Sequence, residues 1–296
     1  MGLPLDSLLI SDGGLATELE ARGNDLSDPL WSARLLLDAP EEIIAVHATY
    51  FRAGARLATT ASYQASFDGF AARGLDRGAA QALLRRSVRL AVDARDAAGP
   101  DGRWVAASVG PFGAALADGS EYRGGYGLSV QALAEWHRPR LEILADAGAD
   151  VLALETIPDV DEAEALVGVV HDLGVPAWLS YTISGTRTRA GQPLAEAFAV
   201  AAGVPEIVAV GVNCCAPDDV LPAIDLARAA GKPVVVYPNS GERWDGRAWT
   251  GSSRFTGELA QHWVAAGAQI VGGCCRVGPT DIAEIRAKLA PRRSRD

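Results

Sequence analysis

Lysine is nearly missing from this chain: Lys232 and Lys288 are the only two among 296 residues. One enters an apolar run from its early end and the other sits in the last helical segment, so neither offers the enclosed amine that a Schiff-base aldolase needs. Histidine is scarce as well. His47, His137, His171 and His262 all fall in stretches of helical period and form no H-x-x-x-H pair. The sequence has no phosphate-binding P-loop, no G-x-S-x-G turn, and no Ser, His and Asp set that the ends of its apolar runs could assemble. No apolar stretch reaches membrane-spanning length. The opening "MGLPLDSLLISDGG" lacks a positive leader and cleavage site, and Asp6 stands where a myristoylation pattern requires Ser or Thr. A formal charge of -10 and a pI near 4.9 disfavour phosphate backbones and anionic bilayers. The expectation is a cytoplasmic protein with small-molecule partners, no nucleic acid and no membrane.

Cysteine is the scarcity that carries information. There are four, and all lie in "GVNCC" (Cys214, Cys215) and "GGCC" (Cys274, Cys275). Adjacent cysteines sit too close along the backbone for an ordinary mutual disulfide. Cytosolic thiols stay reduced, which puts ligand, nucleophile or core residue ahead of disulfide partner.

Against these absences stands a chain that is 49% hydrophobic. Eight apolar runs recur: "LLISDGG", "LATTASY", "VAASVGP", "VLALETI", "AWLSYTI", "IVAVGVN", "VVVYPNS" and "IVGGCCR". Segments of helical period separate them, such as Leu166, Val169, Val170 and Leu173. Several of these end on a glycine shortly before the next run, in "RAGARLATT", "DAGADVLALET", "RAAGKPVVVYP" and "AAGAQIVGG". Runs apolar on both faces suit parallel strands covered on both sides. Eight βα units in a chain of this length predict an α/β fold, a single-domain (β/α)8 TIM barrel over residues 1–290, followed by a basic tail at 291–296. A doubly wound open sheet is the alternative, but "DGGLATELE" lacks the G-x-G-x-x-G of a dinucleotide turn. The long connections, "GAALADGSEYRGGYGLS" and "GERWDGRAWTGSS", are where a barrel builds sites and lids.

In a barrel the strand ends converge on one mouth, bringing Asp12, Thr60, Tyr63, Glu155, Asn213, Cys214, Tyr237, Cys274 and Cys275 together. Soft thiolates at a cytosolic site point to zinc, with three protein ligands and an open position when the site is catalytic. Cys214, Cys274 and Cys275 form that set. Gly272 and Gly273 permit the turn that neighbouring ligands need. Cys215 reads as a core residue facing away from the mouth. Glu155 and Asp12 follow apolar runs, where a buried charge requires a partner such as a substrate ammonium; for Asp12, capping of the next helix competes with that role.

"DGGLATELE", "TTASYQAS", "GPFGA", "DGSEYRGGY", "ETIP", "GVNCCAP", "YPNSGE" and "GGCCR" together resemble the homocysteine S-methyltransferases, in particular the S-methylmethionine-using branch, from about Ser11 to Pro279. The resemblance implies a zinc-dependent barrel that methylates homocysteine to methionine, with zinc on Cys214, Cys274 and Cys275. It places the homocysteine-binding acids at Asp12 and Glu155 and offers the amides of Gly13 and Gly14 for the amino acid's carboxylate. Asn213 and Tyr63 complete the residues expected to face substrate, and Tyr63, Tyr126, Tyr237 and Trp244 are the aromatics available to a sulfonium cation. Other methyl donors (S-adenosylmethionine, betaine), a selenol acceptor, and a non-catalytic zinc or thiol redox sensor stay open as alternatives.

Overall fold

Every apolar run becomes a strand, and each pairs in parallel with the next. In the computed structural model, which describes residues 2–28, 30–244 (Trp244 by its backbone alone) and 249–290, the strands are β1 (Leu9–Ile10), β2 (Leu57–Thr59), β3 (Trp104–Val109), β4 (Val151–Ile157), β5 (Ala177–Tyr181), β6 (Ile207–Asn213), β7 (Val234–Tyr237) and β8 (Ala268–Val271). They follow one another in order around the sheet, β8 returns to β1, and a parallel bridge from Ser11 to Leu57 joins β1 to β2. That closes the barrel. The basic tail 291–296 lies outside the described residues.

Closure dictates composition. All residues of β3 and β4 are buried, because one face meets the barrel interior and the other meets helices. Inside, Trp104, Trp178 and Tyr237 are packed with Ala106, Ala153 and Ala209, large against small, so that the lumen is filled and not a pore. Outside, helices α1 (Pro40–Ala53), α2 (Arg77–Ala97), α3 (Val130–Asp146), α4 (Val160–Leu173), α5 (Leu194–Ala199), α6 (Val220–Arg228), α7 (Gly257–Ala266) and α8 (Pro279–Leu289) cover the sheet. The four glycines that recur before strands, Gly54, Gly148, Gly231 and Gly267, have φ of 118°, 93°, 69° and 116°. Only glycine takes such angles without strain, which is why the motif repeats. Among the described residues no helix is long and apolar enough to cross a membrane.

A buried core histidine adds to the acid sensitivity of the fold. His47 on α1 is fully buried, and among the described residues neither ring nitrogen has a hydrogen-bond partner. Burial pulls its pKa down to about 4. The unfolded chain therefore gains a proton near pH 6.5 while the folded chain does not, so stability is lost as pH falls from 6.5 to about 4, by on the order of 3 kcal/mol. His47→Leu removes that component. Urea midpoints at pH 7.5 and 4.5 should lie closer together in the variant than in the wild type; an equal spread in both would show that His47 is not the sensor.

Candidate active site

The last residues of β6 and β8 form the floor of the mouth. Asn213 ends β6 and is 1% exposed. Its Oδ1 accepts from the Thr156 amide and the Ser180 hydroxyl, both at 2.8 Å, and its Nδ2 donates to Thr156 Oγ1 at 2.8 Å. This clamp holds Thr156 at φ 60° beside Cys214 at φ 47°. Left-handed angles at non-glycine residues persist only where surrounding bonds enforce them, so Asn213 fixes the directions of the neighbouring Glu155 and Cys214. Beyond β8 the turn is laced to its neighbours: Gly273 N donates to Asp12 O (3.1 Å), Cys274 N to Pro238 O (2.8 Å) and Cys275 N to Asn239 Oδ1 (3.0 Å). A Cβ on Gly13 would stand 2.3 Å from Val277 O, and one on Gly272 2.7 Å from Asp12 O. Glycine at both positions lets the first and last loops touch backbone to backbone.

That contact brings the sulfurs together. The ligand atoms of Cys214, Cys274 and Cys275 all lie within 4.8 Å of one another, with Cys274 Sγ 4.0 Å from Cys275 Sγ. Three sulfurs on one zinc at 2.3 Å stand about 3.8 Å apart; the donor set and the Cys274–Cys275 spacing suit a single soft ion, while Cys214 Sγ lies closer to Cys274 Sγ than two ligands of one ion would. The sequence places disulfides last among the roles of these cysteines, yet the structure joins Cys214 to Cys274 across 60 residues, with Cα atoms 5.6 Å apart. The physical reason is the same convergence: thiols arranged to share an ion are also near enough to bond to each other. Burial pushes the Cys275 thiol up to about 12, so a thiolate there requires a cation. Cys215 points the other way, into the apolar layer between sheet and helices.

Two carboxyls line the mouth near the sulfurs. Asp12 is 4% exposed, accepts from Thr59 N (2.7 Å), Thr59 Oγ1 (3.0 Å) and Ser11 Oγ (3.1 Å), and is raised to about 7 by burial against those bonds. It does not cap the following helix, Leu15–Ala21, whose cap position is Gly14. Glu155 is 7% exposed and accepts from Ser108 Oγ; burial raises it to about 7, while Ser108 and the Tyr237 hydroxyl draw it down. Among the described residues neither carboxyl has an ion-pair partner. The site therefore holds buried acid without counter-charge.

The remaining expectations divide. The Gly14 amide is already donated to Val277 O at 2.9 Å, so of the two amides Gly13 is the one left to meet a carboxylate. Among the described residues the Tyr63 hydroxyl is buried without a hydrogen-bond partner, near Thr156, and its ring meets Trp31 edge-on at 6.3 Å. Tyr237 lies inside the barrel, accepting from Trp178 Nε1 at 3.0 Å. Tyr126 packs on Phe112 at 5.2 Å, in a cluster with Trp136. The Trp244 side chain lies outside the described residues. Sequence reasoning missed Thr59, Ser108 and Thr156; the one available signal was a serine in the middle of the apolar run "VAASVGP".

A family model described as Homocysteine S-methyltransferase matches residues 9–289. The Homocysteine S-methyltransferase of Escherichia coli (strain K12) is 48% identical over 299 residues, spanning 97% of this chain and 96% of the relative. The crystal structure of the E. coli homocysteine methyltransferase MmuM in its metallated form superposes with a TM-score of 0.87 at 46% identity, covering 95% of this chain and 96% of that one. Its oxidized form gives 0.86 at 47% identity, with coverage of 95% and 96%.

Proposed function

The chain belongs to the homocysteine S-methyltransferase family, and on that premise we propose that it transfers a methyl group from a sulfonium donor, S-methylmethionine, to the thiol of L-homocysteine. Cys214, Cys274 and Cys275 hold one zinc ion in this reading, and residues 1–290 form one homocysteine-binding barrel. The observation that carries it is the meeting of three sulfurs, from two segments distant in sequence, beside two buried carboxyls that have no ion-pair partner among the described residues. A reducing cytoplasm is the compartment in which those thiols stay available. The partners are small molecules, with no nucleic acid and no membrane.

Zinc, when bound, supplies the acidity that keeps a thiol deprotonated near neutral pH. The chain's own residues do the rest. Three cysteine thiolates bring more negative charge than a divalent ion neutralises, which keeps an acceptor sulfur electron-rich. Asp12 and Glu155 take the homocysteine ammonium, each oriented by a neighbour, Thr59 for the first and Ser108 for the second. The Gly13 amide faces the carboxylate, Asn213 fixes the floor, and the Tyr63 ring borders the place where the donor enters. The acceptor sulfur then forms its bond to the methyl carbon as the bond to the sulfonium sulfur breaks, the electron pair leaving on that sulfur as a neutral thioether. With S-methylmethionine both products are methionine. Holding the two reactants at contact distance supplies most of the acceleration, and a mouth poor in water favours a step in which opposite charges cancel.

A second reading, the thiol redox sensor, is favoured by one observation, the Cys214–Cys274 bond. A donor panel separates the two. Reduced, zinc-loaded protein is given homocysteine with S-methylmethionine, S-adenosylmethionine or betaine, and methionine is quantified. We expect S-methylmethionine to give the highest kcat/KM and betaine to give no product. Absence of methionine with every donor would leave the sensor as the better account.

A further inference from the structure

A third carboxylate lies close to the mouth, on the long connection after β3. Ser120–Tyr122 form a single helical turn in the connection after β3, packed against β4. The turn is held down where Gly113 has no side chain, since a Cβ there would stand 2.5 Å from Glu121 N. Glu121 is half-buried, and its Oε2 is enclosed with no hydrogen-bond partner. Burial raises its pKa; a bond from its own backbone amide opposes the rise, Asp118 adds to it and Arg123 opposes it. Arg123 pairs with Asp118 at 3.8 Å, and among the described residues Glu121 has no ion pair. Its charge is also felt by the Tyr63 and Tyr122 phenols and by the Cys275 thiol, in each case behind burial and at least one nearer group. Glu121 thus stands within electrostatic reach of both the Tyr63 phenol and the Cys275 thiol. One side of Tyr122 is taken by Arg189, 5.8 Å from the ring centre, whereas Tyr63 has Trp31 edge-on and, among the described residues, no cation over its ring.

The three acids differ in a way that sorts ligands. Asp12 and Glu155 are tied by hydrogen bonds to Thr59, Ser11 and Ser108. Among the described residues Glu121 Oε2 is buried with no hydrogen-bond partner, and the carboxyl is met only by its own backbone amide, a costly state unless a ligand compensates it. A sulfonium centre has no N–H or O–H to donate. Its charge is spread over the attached carbons, so it is met by a bare carboxylate and an aromatic ring, whereas an ammonium requires a full set of acceptors.

Resting on the sulfonium-donor reading above, we propose that Glu121 and the Tyr63 ring form the seat of the donor's sulfonium group, with Glu121 the residue that discriminates in favour of a positively charged donor. The donor's charge disappears in the reaction, so Glu121 favours the bound ground state over the transition state. Its loss is felt in donor KM more than in kcat.

The test uses zinc-loaded wild type, Glu121→Gln and Glu121→Asp. Steady-state kinetics vary S-methylmethionine and homocysteine separately, and calorimetry measures S-methylmethionine binding without homocysteine. Glu121→Gln should raise both the KM and the Kd for S-methylmethionine by about tenfold to a hundredfold, the range expected for loss of one charged contact. Homocysteine KM and zinc content should stay within about twofold, and Glu121→Asp should fall between wild type and Glu121→Gln. Wild-type turnover with S-methylmethionine, together with unchanged donor KM and Kd in Glu121→Gln, overturns this inference alone. A wild type that turns over no sulfonium donor overturns the donor reading, and this inference with it.

Discussion

Alanine at Cys214, Cys274 or Cys275 should strip the bound zinc and abolish turnover together, with metal affinity and kcat each down at least about a hundredfold. Alanine at Cys215 should leave both nearly intact and lower only stability. The contrast follows from backbone direction. Cys214 is held at φ 47° with its sulfur toward the mouth, and its chain neighbour Cys215 enters the outer apolar layer. Rotation about its own side chain cannot carry Cys215 across the strand, so it is no substitute ligand. Cys275→Ala carries a further consequence: it leaves Cys214 and Cys274, the pair the structure joins, free to bond. Its metal content must therefore be measured under reductant as well as in air. Elemental analysis and methionine formation decide the matter. Full zinc occupancy in all three reduced ligand variants would sink the assignment.

How much of this was legible beforehand depended on whether the signal was local. β4 coincides with the run "VLALETI", since a strand buried on both faces announces itself in its own residues. The first run, "LLISDGG", yields only Leu9–Ile10 as strand, because Ser11 keeps a single bridge and Asp12 turns to bond Thr59. The cysteine cluster was legible because the barrel alone brings strand ends together. What registers between strands was not. Ser108 meets Glu155 because β3 is in register with β4, with Ser108 opposite Ala153, two residues short of the acid. Asn213 reaches Thr156 over β5, the strand that separates β6 from β4 and whose Ser180 donates to the same Oδ1. Nothing in either residue's own neighbourhood of sequence encodes its partner. Glu121 was hidden for a different reason: a charged residue in a glycine-rich loop looks solvated until the loop is seen folded down on Gly113.

Glu155→Gln is the substitution that isolates recognition of the amino acid from the metal. It keeps the shape and the Ser108 contact but removes the charge that would hold the homocysteine ammonium, so the KM for homocysteine should rise by about a hundredfold, the order expected when a buried charged partner is lost. Zinc content should be unchanged. The pH dependence gives a second handle. Burial holds free Asp12 and Glu155 near pKa 7, against an ordinary carboxylate value near 4. Below that pH both are largely protonated and cannot pair with an ammonium; above it both are available. For wild type, kcat/KM for homocysteine should therefore climb between pH 6 and pH 8. The variant keeps only the Asp12 contribution, so its climb should be shallower. Ionisation of the homocysteine thiol is common to both proteins and cancels in the ratio of wild type to variant, which should itself grow with pH. A ratio that stays flat, or a homocysteine KM untouched by the substitution, would place the ammonium elsewhere and leave Glu155 as a buried acid with no ligand to answer it.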